Sequence, residues 1–221
     1  ILDYISDIVE GDARQAITML ELLSNVGIDF SLDEVKEIIG KGKAYHKTED
    51  KYDTISAMIK SIRGSDPDAA IYWLAKMLSG GEDPLYTARR LVILASEDIG
   101  LANPQALPIA VAGMQAAKDI GMPEVRIILA EVALYLALSP KSNSAYNAID
   151  DALYNIENSR IQEIPSHLKK VGKKDYKYPH AYDNNFVNQK YMLEKIEFYK
   201  AGKNKFEDAA LDRLDKLWNN K

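Results

Sequence analysis

The sequence of 221 residues contains no cysteine. This absence excludes a disulfide framework, a thiolate zinc site and a cysteine nucleophile, and it fits a protein of the reducing cytoplasm. Histidine is scarce as well, and the histidines are far apart and in no spacing that metal ligands use. We interpret each of them as a surface or packing residue and expect no metal site; they are His46, His167 and His180.

Long hydrophobic runs are also missing. The longest apolar stretch, residues 127–138, is interrupted by Glu131 and is too short to cross a membrane. The first residues, Ile1-Leu2-Asp3-Tyr4, include neither an initiator methionine nor the basic start of a signal peptide. We therefore expect a cytoplasmic protein without a membrane partner, and we expect a further segment upstream of Ile1.

Acidic side chains are concentrated at the start of the chain. Residues 1–40 carry nine of them against Arg14 and Lys36, a balance of −7, whereas the whole chain has a net charge of −5. The remaining residues therefore carry a balance of +2. Such a change in composition, close to Gly40-Lys41-Gly42-Lys43, predicts a domain boundary.

Helical periodicity dominates what the sequence does contain. Hydrophobic residues make up 47% of the chain, which is enough to build a core. Residues 1–40 predict three short amphipathic helices, and Ser31 with Glu34 forms a capping box at the start of the third. Residues 41–51 are polar and contain glycine, so they predict a linker.

The central region, residues 52–158, predicts five or six packed helices rich in small residues. A capping side chain precedes a proline at three of the expected helix starts, which are Asp66-Pro67, Asp83-Pro84 and Asn103-Pro104. Two further starts are predicted at Met122-Pro123 and Ser139-Pro140.

The last region, residues 159–221, changes in character. Proline, glycine and clustered lysine, tyrosine and asparagine predict loops, with a short extended piece near residues 176–182. A final amphipathic helix is expected over residues 203–218. Because no segment is rich in strand signals, the predicted fold class is all-α.

The sequence contains no complete catalytic motif. It lacks the GxxxxGK[ST] and GxGxxG phosphate-binding loops, and it lacks GxSxG and HExxH. Glu97 and Asp98 are adjacent carboxylates, but neighbours on a helix point about 100° apart and cannot flank one bond. We interpret this pair as ion-pairing or capping residues, with Arg89 and Arg90 on the same predicted helix as candidate partners.

Arg14 lies in the first turn of its predicted helix. A guanidinium fork beside exposed helix N-terminal amides is a place where a phosphate can bind. On local physics alone, however, an exposed salt bridge to Glu10 or Asp7 is the favoured interpretation.

A basic stretch with interleaved tyrosines lies in the last region. Backbone phosphates and stacked bases of a nucleic acid would suit such a surface. A solvated lysine loop explains the same residues and is favoured, because the chain as a whole is acidic. The residues are Lys169, Lys170, Lys173, Lys174, Tyr176, Lys177 and Tyr178.

Several motifs resemble a known family. GDARQAITMLE, at residues 11–21, resembles the sensor-2 helix in the lid of AAA+ ATPases of the clamp-loader clade. KYDTISAMIKSIRGSDPDAAIYWLAKMLSGGEDPLYTARRLVILASEDIGLANPQAL resembles the C-terminal half of the replication-associated recombination ATPases, called RarA or MgsA in bacteria and the Werner-helicase-interacting protein in eukaryotes. LALSPKSNSAYNAI and YKYPHAYDNNFVNQKY are similar to later motifs of that family, so the resemblance covers essentially the whole chain.

The resemblance implies a particular domain organisation. Residues 1–40 would be the remainder of the AAA+ helical lid, with Arg14 as the sensor-2 arginine that reaches the γ-phosphate of ATP. Residues 41–51 would be a linker, 52–158 a clamp-loader-collar-like helical domain that forms homotetramers, and 159–221 a basic, loop-rich tail with a final helix. On this interpretation Arg14 is a functional residue in the intact protein.

The resemblance also implies a function. The intact family member is a DNA-dependent ATPase that uses ATP and Mg²⁺ at replication forks, in recombination and in DNA repair. It associates with DNA and single-strand-binding protein in the bacterial cytoplasm, at the nucleoid. The Walker A, Walker B, sensor-1 and arginine-finger segments are missing from this sequence, so we expect no ATP hydrolysis by this chain alone and no bound cofactor.

Two other interpretations remain open from the residues themselves. The chain could be a stand-alone helical adaptor that binds protein or single-stranded DNA through residues 159–190. An enzyme built on a helical bundle is the third, but no convergent set of titrating residues supports it.

Overall fold

A computed structural model describes residues 1–9, 13–26, 31–40, 48–170 and 175–219. All regular secondary structure in these ranges is helical, which confirms the predicted all-α class. The α-helices are α1 (Leu2–Val9), α2 (Ala13–Val26), α3 (Leu32–Gly40), α4 (Thr48–Arg63), α5 (Pro67–Ser79), α6 (Pro84–Leu94), α7 (Ala106–Asp119), α8 (Val125–Leu138), α9 (Ser144–Asn158) and α10 (Lys205–Asn219).

The first three helices share a small core of their own. Ile5 and Val9 of α1 pack with Leu23 of α2 and Val35 of α3, and all four side chains are buried. The predicted capping box is present, because the backbone N–H of Ser31 donates to the Glu34 carboxylate at 2.9 Å while the Ser31 hydroxyl accepts from the Glu34 N–H at 3.3 Å. Hydrogen bonds from Ser31 lower the pKa of Glu34.

The main core lies between α4 and α8. Met58 of α4, Leu91 of α6 and Leu136 of α8 are completely buried within it. Gly113 lets α7 approach α8 closely, because a Cβ at this position would lie 2.5 Å from Cγ2 of Val132. With α9, this region contains six helices, as the sequence predicted.

Two of the five predicted helix starts, those capped by Asp66 and Asp83, agree with the structure. Asp66 accepts from the Ala69 N–H at 2.9 Å, and Asp83 accepts from the Leu85 N–H at 2.9 Å. At the other three predicted starts the helix begins two to four residues after the proline, at Ala106, Val125 and Ser144. α4 begins at Thr48, inside the predicted linker.

Asn103 has a different role from the predicted cap of α7. Its Oδ1 accepts from the Gln105 N–H at 3.2 Å, while its Nδ2 donates to the hydroxyls of Tyr135 and Ser139, both at 3.0 Å. The side chain therefore ties the start of α7 to the C-terminal part of α8.

The described part of the last region is largely irregular, as predicted, and the expected extended piece is interrupted, with extended backbone at Tyr178 and Tyr182. Residues 179–181 form a 3₁₀ turn between them, since Pro179 begins a tight turn closed by the N–H of Tyr182 donating to its carbonyl at 3.1 Å. Two further 3₁₀ turns occur at Ser166–Leu168 and Asp183–Asn185. The final helix is present as α10.

Candidate functional site

One long face of α9 is apolar and exposed. Tyr146, Ile149, Leu153 and Ile156 follow helical spacing along it, and their side chains are 46%, 55%, 50% and 53% exposed. Ser144 is the buried residue of α9. We call these four residues the α9 surface.

The α9 surface continues into a groove at the end of the helix. The groove has a volume of about 280 Å³ and lies between α9 and two irregular segments of the last region. Ile161 and Ile164, on its rim, are 70% and 63% exposed. Apolar side chains line most of it, with Arg160 as a positive charge at its edge; the others include Ile156, Leu168, Met192, Ile196 and Phe198.

Two glutamine side chains hold the irregular segments together. Gln162 donates to the carbonyl of Glu194 at 3.0 Å and accepts from its N–H at 2.8 Å. Gln189 bonds in the same two-point manner to the backbone of Lys177, at 2.8 and 3.3 Å. These side chains form hydrogen bonds with backbone N–H and carbonyl groups that a neighbouring β-strand would bind in a sheet.

The first turn of α9 is anchored on Glu207 of α10, which is completely buried. The hydroxyls of Ser144 and Tyr199, the N–H of Gly202 and the amide of Asn204 all donate to its carboxylate. Burial opposes ionisation, but these hydrogen bonds and one from Ser142 outweigh it and lower the pKa of Glu207 to about 2. Burial, together with Glu207, raises the pKa of Tyr199 to about 12.

A π-helical turn, Ala95–Ile99, follows α6 and presents both carboxylates of the Glu97-Asp98 pair to one arginine. Nε of Arg63 donates to Oδ1 of Asp98 at 2.6 Å, and its Nη2 donates to Oε1 of Glu97 at 3.0 Å. The hydrogen bond with Asp98 raises the pKa of Arg63, which stays charged. The predicted ion-pairing role of the two acids is thus observed.

The predicted partners of these acids were wrong. Arg89 and Arg90 lie one to two turns earlier, on α6, but the acids bind Arg63 at the end of α4, more than thirty residues away in sequence. The wider π turn changes the direction of the two acids relative to α6. Nε of Arg90 and Oδ2 of Asp98 are both buried and have no hydrogen-bond partner among the described residues.

The loop before α9 is docked on the π turn. The N–H of Ser142 donates to the carbonyl of Asp98 at 2.8 Å. Gly100 has a φ of +47°, and a Cβ there would lie 2.9 Å from the Ser142 carbonyl oxygen. Lys141 donates to Ser65 at 2.8 Å and to the Ala137 carbonyl at 2.9 Å. Burial lowers the pKa of Lys141, and Asp98 partly opposes this shift.

The basic stretch that the sequence offered as a nucleic-acid surface is exposed where the structure describes it. Lys169, Lys170, Tyr176 and Lys177 are exposed, as is Tyr178, whose ring lies 5.2 Å from that of His180. Lys173 and Lys174 lie outside the described residues. Arg14 belongs to α2, but its side chain also lies outside what the structure describes.

The described residues form no metal site by themselves. The described ranges contain no group of three or more histidine or acidic side chains able to hold a metal ion. The sequence has no phosphate-binding loop. The described residues therefore lack the phosphate loop and the Mg²⁺ ligands that a bound nucleotide needs. Within the same described ranges, no helix is both long and apolar enough to cross a membrane.

Sequence reasoning singled out Glu97 and Asp98 but missed the exposed face of α9 and the anchoring role of Glu207. The spacing of Tyr146, Ile149, Leu153 and Ile156 is a helical period that signals an apolar face. The spacing does not indicate whether another part of the protein covers that face. No pattern in the sequence indicated the role of Glu207, because its hydrogen-bond donors come from separate segments of the chain.

Comparisons with known proteins agree with the resemblance seen in the sequence. A family described as MgsA AAA+ ATPase C terminal matches residues 64–218, and one described as AAA C-terminal domain matches residues 1–63. The replication-associated recombination protein A of Bacillus subtilis is 42% identical, covering 96% of this chain and 55% of that protein.

Other relatives give the same result. The replication-associated recombination protein A of Haemophilus influenzae is 36% identical, covering 98% of this chain and 52% of that protein. ATPase WRNIP1 of Dictyostelium discoideum is 36% identical, covering 87% of this chain and 26% of that protein. The chain spans about half the length of the bacterial relatives. It belongs to the MgsA AAA+ ATPase C-terminal family, within the replication-associated recombination ATPases.

Proposed function

We propose that this chain is the lid and self-association portion of a DNA-dependent AAA+ ATPase that acts in replication-fork maintenance, recombination and DNA repair. It assembles subunits into a homotetramer and does not itself catalyse. The α9 surface is the observation that supports this proposal. The intact protein works in the cytoplasm at the nucleoid, with DNA and single-strand-binding protein as partners.

The α9 surface needs a covering partner for two physical reasons. An isolated helix of this length is marginal in water, and most helical stability comes from packing an apolar face. Among the other helical elements, α9 packs chiefly on the π turn and on the 3₁₀ turn Gly100–Ala102. A contiguous exposed apolar surface, extended by the groove, is typical of an association site.

A second copy of the chain is the partner that we propose. Most soluble oligomers are closed, symmetric homo-oligomers, and the same surface on each copy can serve both sides of a two-fold contact. Two dimers formed in this way would build the tetramer through a second contact. Arg160 at the groove and Asp150 on α9 provide opposite charges within one surface, so antiparallel copies can pair them.

Native mass spectrometry and sedimentation velocity test the proposal. The wild-type chain should form tetramers at micromolar concentration, and Leu153→Asp should shift the population to smaller species because it places a charge in the contact. Ile127→Asp on α8 is the matched control, since Ile127 is 61% exposed and lies outside the α9 surface. A monomeric wild type, or equal behaviour of both variants, would contradict the proposal.

The nucleotide role that we propose for Arg14 concerns the intact protein. As a sensor-2 arginine it would contact the γ-phosphate of ATP while other segments supply the phosphate loop and the ligands of Mg²⁺. The chain by itself should release no phosphate from ATP above the buffer rate. In a protein that carries the missing segments, Arg14→Ala should lower ATP hydrolysis and leave the tetramer intact. Unchanged hydrolysis would refute the role.

A second candidate function is a stand-alone adaptor that binds single-stranded DNA through residues 159–190. The exposure of Tyr176 and Tyr178 beside exposed lysines favours it, since bases stack on free aromatic rings. Fluorescence anisotropy with an oligothymidine should then show salt-dependent binding that is lost in a variant with four Lys→Glu changes. Those changes are at Lys169, Lys170, Lys173 and Lys174.

A further inference from the structure

The ion pair of Arg63 joins the two parts of the chain that match different families. Arg63 is the last residue matched by the AAA C-terminal domain, and its partners Glu97 and Asp98 belong to the part matched by the MgsA C-terminal family. Asp98 is 8% exposed, whereas the side chain of Arg63 is 47% exposed, so the ion pair lies at the edge of the core. Charge-assisted, two-point contacts of this kind are among the stronger polar interactions.

Asp98 connects this ion pair to α9. Its side chain binds Arg63, while its main-chain carbonyl accepts from the N–H of Ser142 in the loop that leads into α9. The last carbonyls of a helix have no partner within it, which leaves the carbonyl of Asp98 free for this contact. One residue of the π turn therefore touches both α4 and the start of α9.

The contact with the loop has little freedom to adjust. Gly100, directly after the π turn, lies so close to the Ser142 carbonyl oxygen that a Cβ there would be 2.9 Å away. Ser142 in turn accepts the N–H of Ser144, the first residue of α9, at 3.3 Å. A shift of the π turn would therefore move the first turn of α9, where Ser144 is bound to Glu207.

We propose that Arg63 controls self-association by positioning the first turn of α9 through the π turn. This inference rests on the proposed function of the α9 surface and adds a way in which self-association through that surface is regulated. α4 follows the segment that leads from the lid helices, so a displacement of α4 would be transmitted through Asp98 and Ser142 to the α9 surface. Arg63 is a positioning residue and is not itself a member of that surface.

The test compares two variants that each remove the ion pairing of one basic side chain of α4. Arg63→Gln breaks the bond to the π turn. Lys51→Gln breaks the pair between Lys51 and Glu82, whose Nζ–Oε1 distance is 2.8 Å, at the other end of α4. Sedimentation velocity gives the dissociation constant of self-association, and hydrogen–deuterium exchange reports on the amides of residues 144–150.

Arg63→Gln should raise the dissociation constant at least tenfold and speed exchange at residues 144–150. Lys51→Gln should leave both at wild-type values even though it also costs thermal stability. Arg63→Lys, which keeps the charge without the planar fork, should give an intermediate result. The proposal is overturned if either measurement stays at its wild-type value in Arg63→Gln, or if Lys51→Gln has the same effect.

The outcome separates this inference from the proposed function. A wild-type chain that stays monomeric contradicts self-association, whatever the variants do. Hydrogen exchange on the monomer then still decides whether Arg63 positions α9. A tetrameric wild type with an unresponsive Arg63→Gln variant keeps the proposed function and refutes the coupling.

Discussion

The hydroxyl of Ser144, the first residue of α9, donates to the carboxylate of Glu207 on α10, and both side chains are buried. The other donors to this carboxylate, from Tyr199, Gly202 and Asn204, are neutral as well. Among the described residues, this buried negative charge is therefore stabilised by hydrogen bonds from neutral groups. The arrangement joins α9, α10 and the segment between residues 199 and 204 at one point.

Glu207 should make the stability of the chain depend on pH in the acid range. Its pKa in the folded state is about 2, below the ordinary value of 4.5, so its contribution is fully present above the ordinary value. The contribution is lost as the pH falls from 4.5 towards 2, because protonation weakens four or five charge-assisted bonds. Urea denaturation at a series of pH values measures this loss.

The Glu207→Gln variant shows how much of the unfolding free energy depends on the ionised carboxylate. The amide cannot accept all the bonds of the carboxylate, so the variant should lose about 2 kcal/mol of unfolding free energy at neutral pH. The difference between wild type and variant should shrink as the pH falls from 4.5 towards 2. A difference that is constant over that interval would show that the ionised carboxylate is not what stabilises this site.

Gly113→Ala should destabilise the main core. A Cβ would overlap Cγ2 of Val132, and forced overpacking costs about 1–3 kcal/mol. Thermal denaturation of Gly113→Ala and Gly121→Ala compares a crowded glycine with an open one, because no heavy atom lies within 4 Å of a Cβ at Gly121. Val132→Ala added to Gly113→Ala should recover part of the loss. Equal melting temperatures for the two single variants would contradict the close packing of α7 on α8.

Local signals in the sequence predicted the helices well. The caps at Asp66 and Asp83 and the box of Ser31 with Glu34 are short-range patterns, and each occurs where the sequence placed it. The starts of α7, α8 and α9 were displaced because a proline fixes its own backbone without obliging the next residue to begin a helix. Asn103 was also misjudged, since its amide has partners on α8 that no local pattern reveals.

The candidate site was less predictable, because it depends on contacts between distant residues. The acidic character of Glu97 and Asp98 indicated an ion pair, but Arg63 becomes their neighbour only after α4 packs beside the π turn. Periodicity likewise gives α9 an apolar face without showing that its own domain leaves the face exposed. The family resemblance provided the expectation of assembly that composition could not.

Gly100→Ala should be more damaging than Gly81→Ala. Both glycines have positive φ, +47° and +80°, so both substitutions carry a backbone cost of about 1 kcal/mol. Only at Gly100 would the new Cβ also collide with a backbone atom, the carbonyl oxygen of Ser142. Chemical denaturation should therefore rank wild type, Gly81→Ala and Gly100→Ala in order of falling stability. The opposite ranking of the two variants would rule out the close docking of the loop on the π turn.

Asn103 and Tyr135 should be energetically coupled. Removing the amide in Asn103→Ala leaves the hydroxyls of Tyr135 and Ser139 without their donor, which should cost about 2 kcal/mol. Tyr135→Phe removes one partner and should cost about 1 kcal/mol. The double variant should lose less than the sum of the two, because the shared bond can be lost only once. Urea denaturation of the four proteins completes the cycle, and strictly additive losses would mean that this bond contributes nothing to joining α7 and α8.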